Sequence, residues 1–238
     1  FNLTAAAEWG WNAHGRDERE FAAAWAVQRG LKDPEQAADW AVLLGKVGWD
    51  VYGSGVPYPH FFGTAANMIK QRSAPVLGKG LFRYFPTREH LQQDAAIAAQ
   101  ATALADQLGD PAISAETQVI AGYVAMLGWL HDIAALISRK TPPSDAERAA
   151  LNDHLLALAQ AEWDVNEGLR AWEKASLGTP VGGRLSDTQE VNDQTLAGVS
   201  EALKPFGVRN PLAPYLTREI GQYQTPDFEE TQSTQKVL

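Results

Sequence analysis

Cysteine is absent from the 238 residues, which excludes disulfide bonds and thiolate chemistry. That absence chooses no compartment, because many secreted bacterial proteins also lack cysteine. Basic residues are scarce as well, 20 Lys and Arg against 29 Asp and Glu, for a formal net charge of −9. Nucleic-acid binding needs clustered cations that displace counterions from phosphates, so no nucleic-acid partner is expected. Anionic membranes are poor partners on the same ground. No uninterrupted apolar run reaches the eighteen or so residues of a bilayer span, and no membrane partner is expected. Histidine occurs five times, at His14, His60, His90, His131 and His154, with no H-E-x-x-H or comparable spacing, so neither a metal nor a cofactor is expected. A serine-hydrolase elbow, a Walker loop and a dinucleotide glycine fingerprint are also missing.

What is present is a folded-protein composition, 45% hydrophobic and 21% charged with eight Trp, long enough to bury a genuine core. Helical punctuation dominates. Acidic Asp17, Glu18 and Glu20 open a helix over about 16–29 that Gly30 stops. Asp33 and Pro34 start another, whose Ala37, Trp40, Leu44, Val47 and Val51 recur at three or four residues. Residues 58–85 are irregular and aromatic, a packed connector or the lining of a cleft. Thr87 caps a helix ended by Gly109 and Pro111, and Ser114 is positioned to cap the next, through Ile137. Ser144 and Glu147 have capping-box spacing ahead of a helix carrying Leu151, Leu155, Leu158, Val165 and Leu169. A shorter helix over about 186–203 follows the glycine-rich stretch 178–183. The fold class is all-α, an up-and-down bundle with short connections, with a helical domain over 31–206 and an extended tail over 207–238.

The amino end reads differently. Phe1 to Asn12 is apolar and aromatic like a buried strand, with no other strand to pair with, so we expect the remnant of a missing (β/α) barrel over 1–30. A carboxylate in that apolar stretch needs a partner, which makes Glu8, with Trp11, the candidate substrate-binding pair: sugar C–H faces stack on indole and sugar hydroxyls donate to carboxylate. Trp25, Trp40 and Trp49 are expected to fill core, and His131 to be a hydrogen-bonded interior or boundary residue. Asp17 with Glu18 could suggest the paired acids of glycoside hydrolysis, but their place in a first helical turn explains them through the helix dipole.

Ala7-Glu8-Trp9-Gly10-Trp11, with Gly15-Arg16-Asp17-Glu18-Arg19-Glu20-Phe21 after it, resembles the last barrel strand and following helix of bacterial family 20 glycoside hydrolases. Other barrel glycosidases with helical extensions resemble it nearly as well. The likeness implies that Glu8 contributes a carboxylate to sugar hydroxyls and Trp11 a wall to the pocket. Trp163, Asn166, Gly168 and Leu169 are faintly similar to a scaffold segment in the tails of such enzymes. On this resemblance the chain supports an upstream catalytic domain acting on N-acetylated carbohydrate and is not catalytic alone. The alternative is a helical interaction module, for which a second copy in a homodimer is one partner.

Overall fold

The computed structural model describes residues 2–11, 14–57, 62–139, 141–177 and 184–209. Among these, eight α-helices appear in chain order: α1 (Asn2–Trp11), α2 (Glu18–Arg29), α3 (Pro34–Ser54), α4 (Phe62–Lys70), α5 (Arg88–Leu108), α6 (Pro111–Ile137), α7 (Asp145–Leu177) and α8 (Arg184–Leu203). Short 3-10 turns at Gly80–Phe82 and Lys204–Phe206 complete the set. The all-α expectation is met, and no described residue is in a strand.

The expected amino-terminal strand is corrected by this structure: residues 2–11 are helical. Leu3, Ala5, Ala6, Ala7 and Glu8 are good helix formers, and a short apolar run does not distinguish strand from helix by its pattern. With its hydrogen bonds made within the helix, α1 needs no neighbouring strand. It docks instead on α2, with the Trp9 ring 5.4 Å from that of Phe21.

Helix boundaries follow local chemistry. Asp17 and Glu20 form a reciprocal capping box ahead of α2, and Gly30 closes it in a left-handed conformation. Asp33 accepts from Gln36 N at the start of α3, and Thr87 accepts from His90 N at the start of α5. For α6, the cap is Asp110 rather than Ser114. The Asp110 carboxylate accepts from Ala112 N and Ile113 N, both at 3.0 Å, so the helix is capped four residues earlier than expected. Ser144 and Glu147 make the predicted reciprocal bonds before α7. Helix α4 lies within the stretch read as irregular. The glycine-rich stretch 178–183, the aromatic positions Tyr58 to Phe61, and the tail from residue 210 lie outside the described residues.

Helices α3, α5, α6 and α7 run alternately up and down. Gln36 meets Gln107 and Asp50 meets His90 across α3 and α5, and Arg88 meets Asp132 across α5 and α6. The α6–α7 crossing is close because Gly122 and Gly168 carry no side chain. A Cβ at Gly168 would sit 3.1 Å from Val119 N and 3.2 Å from Ala115 O. Helix α6 is long and apolar enough to cross a membrane by length and composition, but 61% of its most apolar window is buried inside the protein. Here it is the central core helix, with Tyr123, Leu127, Leu130, Ile133 and Ile137 against its neighbours. Trp40 is buried as expected and donates to Thr117 Oγ1 at 2.7 Å. Trp49 departs from expectation, at 71% exposed. Two residues on from Val47, it lies on the opposite side of the helix from the core line of Leu44, Val47 and Val51.

Candidate metal centre

The seam between α3 and α5 brings together three side chains far apart in sequence. Near the carboxyl end of α3, Asp50 faces the first two turns of α5, where His90 and Asp94 stand one helical turn apart on one face. Their ligand atoms all lie within 4.8 Å of one another. His90 Nε2 donates to Asp50 Oδ2 at 2.7 Å, and the same nitrogen is 3.7 Å from Asp94 Oδ2. Ligands of one tetrahedral dication at bond lengths of about 2.1 Å stand about 3.4 Å apart, so the widest gap in this set would have to draw in by roughly an ångström to close on an ion.

Burial grades across the site. Asp94 is almost wholly buried, its side chain 3% exposed, whereas His90 is 34% exposed and forms the open side. Asp94 Oδ2 receives no hydrogen bond. A buried carboxylate oxygen without a donor is costly, and it is satisfied by a proton or a cation. Burial, first, raises the Asp94 carboxyl to about 6, opposed by the charges of His90 and Lys46 and reinforced by that of Asp50. Surrounding contacts orient the ligands: Thr87 fixes the His90 backbone by its 3.1 Å cap, and the Phe85 ring meets the imidazole edge-on at 6.1 Å. Behind Phe85, Tyr84 packs onto α3 at Gly53, where a Cβ would lie 2.5 Å from its ring.

Two carboxylates and an imidazole suit Mn(II), Fe(II), Co(II) or Zn(II); no thiolate is present to favour softer ions. Three protein ligands leave further coordination positions toward solvent on the His90 side, where a bound water would become more acidic.

Next to this centre, Arg88 grips Asp132 through both guanidinium nitrogens, Nη2 to Oδ2 at 3.0 Å, and also reaches His131 Nδ1 at 2.8 Å. Burial works against the Asp132 charge, but these hydrogen bonds outweigh it and hold its carboxyl below the usual range. His131, 8% exposed, is thus the hydrogen-bonded boundary residue that the sequence suggested. A second polar cluster is wholly internal. Asn166 Nδ2 donates to Glu162 and to Asp193 (2.9 Å), Asn192 Nδ2 donates to Asn166 Oδ1 (2.9 Å), and Tyr123 donates to Asn192 Oδ1 (3.1 Å). It ties α6, α7 and α8 together.

The sequence-derived pair is placed elsewhere. Glu8 is on α1 and is held by Arg16, whose Nε and Nη2 donate to its two carboxylate oxygens at 3.0 Å each. The Trp11 side chain lies outside the described residues. Asp17 serves as a helix cap. The sequence reading passed over Asp50, His90 and Asp94: it sought paired histidines, whereas the usable signal was a His and an Asp four residues apart with the Asp buried.

These features define a helical-bundle protein with a carboxylate–imidazole cluster in an interhelical seam. Comparison with protein-family models, curated proteins and solved structures yields no match to this chain.

Proposed function

We propose that the protein binds a single divalent transition-metal ion between α3 and α5, with Asp50, His90 and Asp94 as ligands. One observation carries the reading: a buried carboxylate oxygen without a hydrogen-bond donor converges with a second carboxylate and an imidazole within 4.8 Å. Isothermal titration of the metal-free chain with Mn(II) or Zn(II) tests it. One site per chain is expected, lost on His90→Ala and Asp50→Ala. Undiminished binding in both variants refutes the assignment.

A role for Glu8 in sugar binding has sequence resemblance as its support, and it requires release of the Arg16 ion pair. A second reading, a helical interaction module that pairs with another copy of itself, is supported by the outward stripe of α3, where Val42 is 38% and Trp49 71% exposed. Light scattering of the wild type and Trp49→Ser decides it: a concentration-dependent dimer weakened by the substitution is expected, and a wild-type monomer at all concentrations refutes it.

A further inference from the structure

Resting on the metal reading, we infer that the ion and Lys46 together form a subsite for a small oxyanion, a phosphate or carboxylate group that ligates the metal and pairs with the ammonium. The register of the seam places Lys46. With Gln36 opposite Gln107 and Asp50 opposite His90, α3 and α5 are antiparallel, so Lys46, one turn before Asp50, lies opposite Asp94, one turn after His90. The charges that bear on Asp94 are those of His90, Asp50 and Lys46. Lys46 is exposed and holds no close ion pair with a carboxylate among the described residues. Its flexible four-carbon stem lets the ammonium swing toward the open side of the site.

Charge bookkeeping then selects the ligand. A dication cancels Asp50 and Asp94, neutral His90 adds nothing, and Lys46 leaves the loaded site with one net positive charge in a chain of formal charge −9. Arg88, the nearest guanidinium in sequence to the ligands, is already neutralised by Asp132. An oxyanion fills both vacancies at once: one oxygen completes the coordination sphere and another accepts from Lys46. A neutral ligand would leave the ammonium unpaired.

The test uses the full chain loaded with Co(II), whose visible absorption reports the coordination sphere. Inorganic phosphate and, separately, acetate are titrated into the wild type, Lys46→Ala and Lys46→Arg. Saturable perturbation of the cobalt band is expected, with affinity lowered about tenfold or more in Lys46→Ala, the loss of one charge-assisted hydrogen bond, and largely kept in Lys46→Arg. Cobalt itself should bind Lys46→Ala as tightly as wild type or tighter, since a repelling cation is gone. Tighter metal with weaker anion is a combination that misfolding cannot imitate. Preference between phosphate and acetate tells which group the site takes. Equal anion affinity in wild type and Lys46→Ala, or an unresponsive cobalt band, overturns the oxyanion inference alone. Failure of cobalt to bind the wild type at all instead refutes the metal centre beneath it.

Discussion

Replacing Asp94 by Asn should stabilise the metal-free protein while destroying the proposed metal site. The buried Asp94 carboxyl titrates at about 6, against about 3.9 in an unfolded chain, so protonation favours the folded state. The associated stability is fully present below about pH 4 and is lost as pH rises through about 6. Two pH units correspond to about 3 kcal/mol, the most that the ionised carboxylate can cost the fold at pH 8. Asn keeps the shape, carries no charge and can donate to Asp50. In urea unfolding of the metal-free proteins, Asp94→Asn should therefore exceed wild type by up to about 3 kcal/mol at pH 8, and the gap should close by pH 4. Taking the difference between the two proteins cancels the acid response of every other carboxylate. Metal at a hundred times its dissociation constant should then raise the wild type by about 2.7 kcal/mol and leave Asp94→Asn unmoved. A variant less stable than wild type at pH 8, or one still binding metal with wild-type affinity, would refute the account of Asp94 as an orphaned buried ligand.

Three further outcomes test the frame around the site. Gly168→Ala should lose about 1–2 kcal/mol in chemical denaturation, since overpacking against the α6 backbone outweighs the helix-propensity gain; Gly128→Ala, with nothing within 4 Å of its Cβ, should gain up to about 1 kcal/mol. Equal effects at both positions would show that the α6–α7 crossing is looser than described. Asn166→Ala should cost about 3 kcal/mol or more by thermal or urea melts, because Glu162 and Asp193 lose a shared buried donor; a loss under 1 kcal/mol contradicts the network. Asp17→Ala should remove the α2 cap at a cost of about 1 kcal/mol, and no change in stability would show that the cap contributes nothing.

Much of the bundle could be read from side-chain spacing and punctuation. Asp33-Pro34, Thr87 and Ser144–Glu147 each supply a donor-satisfying group where a helix must start, which is local chemistry and so visible locally. The Ser114 expectation failed because the helix starts one turn earlier, at Pro111, where Asp110 accepts from Ala112 N and Ile113 N. Residues 2–11 misled because a ten-residue apolar run has no decisive period. Trp49 misled because aromatic content says nothing about which side of a helix a residue occupies; counting from Val47 would have turned it outward. The Asp50–His90–Asp94 cluster was legible only by half. His90 and Asp94 share a helix face by spacing, but Asp50 reaches them through the antiparallel packing of α3 on α5, a tertiary fact that no window of sequence contains.

Asp50 and His90 are 40 residues apart, with α4 and the aromatic turn before α5 between them. An ion seated there is a removable staple that closes this stretch of chain into a loop. Its arrival should slow amide exchange across the second half of α3 and the first turns of α5 and make the protein more resistant to proteolysis within the loop. Chelator should reverse both, so that metal supply in the surroundings would set how long the folded chain persists.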